Sequence, residues 1–413
     1  MLIVVQNLPV PLDRRVRLEC LALIEAGYRV SVVCPKGPGD PKYHEVDGIR
    51  IHKYRPYPPT RRKVGFVAEY VYSFILTFWL TSKVWRRERF EVLQVCNPPD
   101  IFWPLGMLFH ALGDCAFVYD QHDLCPELYQ SRFPDGPRVF YRIIRLVERL
   151  TYRTADHVIS TNASYRAKAL ERGGKREEEV TVVRTGPDPD RLRKQAPNLD
   201  LRRGRRHLAV YLGVMGPQDG VDIVLLAADR IVHDLGREDV SFLLIGTGDC
   251  FDELVALCAE LDLDKYVEFT GRIPDEALFP ALSAADVGLS PDPKNPLNDV
   301  STMNKTMEYM AFELPVVAFD LRETRVSAAE AGIYVRPNDV DRYARAIVDI
   351  LDDEPERARM GVLARARVEN TLAWQHQEPR YVEVYNRLTG RVSRQDGGHT
   401  DQHDPAIGGV GTA

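Results

Sequence analysis

Short apolar runs, each closed by a polar turn and followed by a stretch of helical spacing, recur along most of the chain. Leu2 to Val5 is the first. A loop over Gln6 to Asp13 follows, then a predicted helix from Arg14 to Ala26 that Gly27 stops in the manner of a C-cap. Val30 to Cys34 completes a strand-helix-strand unit, and Tyr43 to Tyr54 reads as a strand pair around Asp47-Gly48, a dipeptide suited to tight hairpin turns. Further strands are predicted at Glu91 to Cys96, Ala116 to Asp120, His157 to Ser160 and Val180 to Arg184. After a charged, nonperiodic stretch they resume at His207 to Gly213, Ser241 to Ile245, Val267 to Thr270, Val287 to Ser290, Val316 to Phe319 and Gly332 to Val335. Helices are predicted at Phe66 to Trp85, Tyr165 to Arg172 behind a capping run from Thr161 to Ser164, Val221 to Val232, Met303 to Phe312, Val340 to Leu351 and Trp374 to Tyr385. This alternation is that of an α/β protein with two doubly wound halves, 1–190 and 207–372, joined by a linker over 191–206. Beyond Thr389 Gly, Asp, His, Gln and Ser dominate, so 390–413 is expected to be a disordered tail.

In a parallel sheet, polar residues just after strand ends collect at the ligand-binding edge. Two stretches answer that description. Ala285 to Asp320 holds an apolar strand, a long polar loop, a helix and a second apolar strand. The start of that helix presents backbone N–H groups and the positive end of the helix dipole, a natural seat for a diphosphate. Lys305 would add a cation there, while the carboxylate of Glu308, one turn in, can accept from the vicinal hydroxyls of a ribose. The other stretch, Gln121-His122-Asp123-Leu124-Cys125-Pro126-Glu127, follows a buried strand.

Composition narrows the reading. With 413 residues and 45% hydrophobic content, two cores are expected. A net charge of −6 argues against nucleic-acid binding. Seven scattered cysteines without a C-x-x-C pair suggest free thiols in a reducing cytoplasm. Leu2 to Val5 is too short and lacks a basic start for a signal peptide, and the longest apolar stretch, Tyr70 to Ser82, falls short of the roughly 20 residues of a spanning helix. The aromatic helix Phe66 to Trp85 follows a basic loop, Arg55 to Lys63, and runs into Arg86-Arg87-Glu88-Arg89. It suits either a membrane surface, giving peripheral contact with the inner face of the cell membrane, or burial against the sheet.

Met307-Glu308-Tyr309-Met310-Ala311 and Leu314-Pro315-Val316-Val317-Ala318 resemble the nucleotide-sugar signature of the family 4 glycosyltransferases, retaining enzymes of the GT-B fold. That fold is two Rossmann-like doubly wound domains facing a central cleft. The resemblance implies that 1–190 takes the acceptor, that 207–372 binds the nucleotide sugar, and that a C-terminal helix over 373–389 crosses back to the first domain. It implies a donor site of Gly213, Gly216, Gly246, Gly248, Arg272, Thr302, Met303, Asn304 and Glu308, with catalytic roles for His122, Asp123 and Lys305. The chain departs from the family at three places. Val300 stands where the first glutamate of the signature falls, Asn7 to Arg15 replaces a Gly-rich loop, and Val214 or Met215 and Asp219 stand near a phosphate-clamping Arg and Lys. Asp13, Arg14 and Arg15 are the candidates to grip a phosphate or an acceptor in compensation. Gly246-Thr247-Gly248-Asp249 is not a dinucleotide fingerprint, because Phe251 occupies the third glycine place.

The implied activity is transfer of a sugar from a UDP- or GDP-sugar to a hydroxyl acceptor, such as a lipid-linked glycan, in cell-surface polysaccharide or glycolipid synthesis. No cofactor beyond the nucleotide-sugar co-substrate and no metal is expected, since Asp188-Pro189-Asp190 reads as a structural turn. A nucleotide-sugar 2-epimerase of the same fold, or a non-catalytic nucleotide-sugar-binding subunit, are the alternatives.

Overall fold

The computed structural model describes residues 1–58 and 63–391; the tail expected over 390–413 lies almost wholly outside them, as does part of the basic loop Arg55 to Lys63. The first eight strands, β1 (Leu2–Val4), β2 (Ser31–Pro35), β3 (Tyr43–Val46), β4 (Ile49–Tyr54), β5 (Val92–Cys96), β6 (Ala116–Gln121), β7 (His157–Ser160) and β8 (Val180–Val182), form one sheet. Its order is β3-β4-β2-β1-β5-β6-β7-β8, parallel throughout except that β3 runs against β4. The turn between those two carries positive φ at Asp47 and Gly48, as a tight hairpin requires.

Six helices connect these strands: α1 (Arg14–Glu25), α2 (Lys63–Glu88), α3 (Trp103–Gly113), α4 (Cys125–Arg132), α5 (Arg138–Thr154) and α6 (Ala163–Gly173). One face of the sheet packs on α2, α3, α5 and α6 through Leu80, Trp85, Phe109, Tyr152 and Ala169. The other face packs on α1. Burial against the sheet holds for one face of the aromatic helix only. Ser73, Thr77, Leu80, Thr81 and Val84 of α2 are buried, while Val71, Ile75, Phe78 and Trp79 lie in solvent, Trp79 at 59% exposure. Small hydroxyl side chains let the helix sit close to the sheet, and that turns the bulky apolar ones outward.

The second sheet is all parallel, ordered β11-β10-β9-β12-β13-β14. Its strands are β9 (His207–Leu212), β10 (Val240–Ile245), β11 (Val267–Gly271), β12 (Val287–Ser290), β13 (Val316–Phe319) and β14 (Gly332–Val335). The helices of this half are α7 (Val221–Asp229), α8 (Phe251–Glu260), α9 (Asp275–Ala284), α10 (Asn304–Ala311), α11 (Arg322–Ala328), α12 (Val340–Asp352) and α13 (Glu354–Arg367). The stretch 191–206 is not bare coil: Leu192 is buried with the second core, and the Arg202 carbonyl accepts from the Ser241 hydroxyl at 2.9 Å. The last helix, α14 (Trp374–Thr389), buries Trp374, Tyr381 and Tyr385 beside α1 in the first core. The chain crosses at Gly186, where a Cβ would stand 2.2 Å from the Leu372 carbonyl oxygen. Among the described residues no helix is long and apolar enough to cross a membrane.

Candidate active site

Parallel strands of both sheets point their carboxyl ends at the cleft between the halves, and the candidate residues lie on those ends. On the second-half side, the loops after β9 and β10 close on one another. A Cβ at Gly246 would fall 1.8 Å from the Gly213 carbonyl oxygen, and Gly213 and Gly246 have φ of 155° and 139°. Only glycine permits both the approach and the backbone. Gly248 is likewise pressed to the Met215 backbone, and the Gly216 N–H donates to the Asp219 carboxylate at 2.9 Å. These four glycines shape the floor of the site.

The first turn of α10 rises from that floor. Lys305 is 9% exposed, donates to Asp292 at 2.7 Å and stands 4.8 Å above the Tyr211 ring. Burial works against its charge, but Asp292 and Asp219 overcome that and raise its pKa. Asp219 itself is pushed up to about 6, by burial first, with Lys305 pulling the other way. Helix α10 is fixed by Tyr309, whose hydroxyl accepts from the Leu212 N–H at 2.7 Å and donates to the Leu289 carbonyl at 3.1 Å.

Glu308 accepts from Arg14 at 2.7 Å, and Arg14 also pairs with Asp275 at 3.1 Å. Arg14 opens α1 in the first half, so this bridge spans the cleft. Burial raises the Glu308 pKa despite Arg14. Nearby, the Asn162 amide of the first half donates to the Val300 carbonyl at 3.0 Å and to the Thr302 hydroxyl at 3.1 Å. Leu124, Tyr165, Leu297 and Val300 bury each other across the same seam. The position of the missing glutamate, Val300, is thus an apolar contact between the halves. Met303 precedes the helix without a side-chain cap, and Asn304 is exposed at its first position. Arg272 is exposed at the end of β11, with no carboxylate partner among the described residues.

On the first-half side, β6 ends at Asp120 and Gln121, and His122 follows. The His122 ring Nε2 lies 2.6 Å from the Asp120 carboxylate and 3.1 Å from the Arg15 Nε, and Nδ1 has no protein partner among the described residues. Burial would lower the His122 pKa, but the Asp120 charge and hydrogen bond raise it. The Asn97 side chain sets this loop: its carbonyl accepts from the His122 and Asp123 N–H groups at 2.7 and 3.0 Å, and its amide donates to the Asp123 carbonyl at 2.8 Å. Burial raises the Asp123 carboxyl pKa.

Two of the three compensating candidates are committed elsewhere. Asp13 is the N-cap of α1, accepting from Val16 at 3.1 Å. Arg15 is buried and donates to Asp120 at 2.9 Å, to Val183 O and Thr185 Oγ1 at 3.0 Å each and to the His122 ring at 3.1 Å, and it forms an ion pair with Glu19 at 2.9 Å. Its guanidinium has no edge left for a phosphate, because it balances two buried carboxylates. Asp120 stays below the usual carboxylate range: burial opposes its charge, and Arg15 and His122 overcome that. Glu19 is pushed up to about 8 by burial and by Asp120. Gln94 donates to Glu19 at 2.8 Å and accepts from Tyr381 of α14 at 2.7 Å, which carries the network into the C-terminal helix. Glu19, Cys96, Asp120 and His122 also have ligand atoms within 4.8 Å of one another, as a metal would need. Here Arg15 supplies the balancing positive charge.

Sequence patterns singled out His122, Lys305 and Glu308 but passed over Asp120, Glu19, Gln94, Asn97 and Asp292. The one available signal was Arg15 and Glu19 at i, i+4 on a helix face otherwise apolar.

This arrangement matches known proteins. A family model described as glycosyl transferase 4-like domain matches residues 12–186, and one described as glycosyl transferases group 1 matches residues 206–353. Between them they take in both halves, and the chain belongs to the family 4 glycosyltransferases. A GDP-mannose-dependent monoacylated alpha-(1-6)-phosphatidylinositol monomannoside mannosyltransferase of Corynebacterium glutamicum is 28% identical over 162 residues, 38% of this chain and 42% of that one. The match therefore spans less than half of that relative. Sucrose-phosphate synthase from Thermosynechococcus elongatus superposes with a TM-score of 0.77 at 21% identity, covering 95% of this chain and 100% of that one. HepE of Anabaena, in complex with UDP and glucose, gives 0.71 at 16% identity, with 94% and 100% covered. The fold is GT-B.

Proposed function

We propose that the protein transfers a sugar from a UDP- or GDP-sugar to a hydroxyl of a lipid-linked acceptor, with retention of anomeric configuration. The observation that carries this is Arg14 of α1 spanning the cleft to Glu308 of α10, one turn from Lys305, while the adjacent Arg15 meets His122. The ribose hydroxyls would take over Glu308, freeing Arg14 to turn toward the diphosphate. Lys305, the start of α10 and the released Arg14 would stabilise charge on the departing phosphate. That phosphate accepts the acceptor proton as the new glycosidic bond forms on the same face, so no strong general base is needed. His122, held by Asp120, presents Nδ1 to the sugar, and Asp123 lies beside it.

The membrane-bound acceptor is supported by the outer faces of α2, α3 and α5. They expose Ile75, Trp79, Met107, Leu112, Ile143 and Leu146, and Arg138, Arg142 and Arg149 of α5 are exposed among them. Apolar side chains interleaved with cations suit an anionic lipid surface. The relative from Corynebacterium, by its name, acts on a phosphatidylinositol mannoside.

A second reading, a nucleotide-sugar-binding subunit without turnover, is favoured by Asp219, a half-buried acid where the family carries a phosphate-binding cation. Incubation with UDP- and GDP-sugars and a membrane lipid extract separates the two. Acceptor-dependent release of nucleoside diphosphate, with a glycolipid product retaining the donor's anomeric configuration, supports the transferase. Binding without release would leave the subunit.

A further inference from the structure

Outside the cleft, a recess of about 1200 Å³ lies between the β3–β4 hairpin and α2. Some of its charges are answered internally: Lys53 pairs with Asp40 and Arg50 with Glu88. Lys42, Arg55, Lys83 and Arg87 also line it, and none has a carboxylate partner among the described residues. The recess thus carries a surplus of positive charge that a ligand would have to balance. Its aromatic wall includes Tyr57 packed edge-on against Tyr72 at 5.6 Å, and Trp79 under the Lys83 ammonium at 5.4 Å. Along α2 the wall continues into the exposed apolar face of Val71, Ile75 and Phe78. A cationic pocket opening onto an apolar ridge fits a ligand with an anionic head and an apolar body.

The recess shares a wall with the cleft. Gln6, after β1, donates to Ser73 of α2 at 3.3 Å, and a Cβ at Gly37 in the recess would lie 3.5 Å from Pro9. That loop ends at Arg14, the residue that spans the cleft.

We infer that this recess holds the phosphate-bearing end of an amphiphilic, lipid-linked acceptor, beside the cleft where the sugar is received; the inference rests on the transferase reading above. The test uses hexyl phosphate and inorganic phosphate as calorimetric probes of three proteins: wild type, Lys42→Ala/Arg55→Ala, and the charge-matched pair Lys265→Ala/Arg345→Ala, two exposed cations of the second half away from the recess. The recess predicts that hexyl phosphate binds wild type more tightly than inorganic phosphate. It also predicts about fivefold weakening for each recess cation removed and no change in the second-half pair. Equal weakening in both pairs, or equal affinity for the two probes, overturns it in favour of general surface charge or free phosphate. Titration with UDP and GDP separates the two failures. If nucleotide binds wild type but hexyl phosphate does not, the recess falls alone; if neither binds, the transferase reading falls with it.

Discussion

At the scale of single residues, the candidate donor site carries unusual charge. Lys305 is matched by Asp292, so Asp219 leaves the pocket with an excess of acid until it is protonated. Its folded pKa of about 6 lies above the ordinary 3.8, so ionising it costs stability as pH rises through that window. The same charge repels a diphosphate. Nucleotide affinity should therefore rise as pH falls through about 6, and Asp219→Asn should remove that dependence while tightening binding at neutral pH roughly tenfold. Titrations across this range check both; an unchanged pH profile in the variant would take Asp219 out of the phosphate site. Lys305→Ala should lower turnover at saturating donor on the order of a hundredfold, measured by nucleotide release, and unchanged turnover would remove Lys305 from the mechanism. Asp120→Asn leaves Arg15 half-paired in the core, and urea denaturation should register a loss of about 3 to 5 kcal/mol.

At the scale of elements, legibility tracked locality. The second half of the family signature lies within one helix and its following strand, so Glu308, and Lys305 just before it, stood out as candidates. The Arg15 network joins α1, β5, β6 and α14, elements far apart in sequence, and no local pattern announces such a meeting. The same distance explains why Arg15 looked available for phosphate: apart from Glu19, its partners are 105 and more residues away. Helices α3, α4, α5, α8, α9, α11 and α13 had no individual assignment from the apolar pattern. For α5 the reason is physical, since Glu148 and Thr151 face inward while Ile143 and Leu146 face out, contrary to the usual rule. The glycine loops, by contrast, were recognised as a site but not for their packing. Gly246→Ala should force the β9 and β10 loops apart, with a loss on the order of 1 to 3 kcal/mol by denaturation and weakened nucleotide binding. Full retention of both would deny the close approach any role.

At the scale of the molecule, the contacts between the two halves include Arg14 to Glu308 and Asp275, Asn162 to the 300–302 backbone and side chain, Ser164 and Arg184 to Glu323, Tyr165 to Ser301, Arg132 to Asp249, and the small apolar seam at Val300. Two doubly wound halves were readable because alternating strands and helices restart after residue 206, and the resemblance at Met307 to Ala318 implied that they form a GT-B pair. The way the halves lock was not readable, since it depends on pairs such as Arg14 and Glu308 that are 294 residues apart. The account makes Glu308 the carboxylate that exchanges Arg14 for the donor's ribose. Calorimetric titration of UDP, GDP, ADP and TDP against wild type and Glu308→Ala tests this most directly. One nucleotide should bind wild type, and the variant should lose on the order of ten- to a hundredfold, the effect of a charge-assisted hydrogen bond of about 1.5 to 3 kcal/mol. Equal affinity of wild type and variant for every nucleotide, or no binding at all, would contradict it.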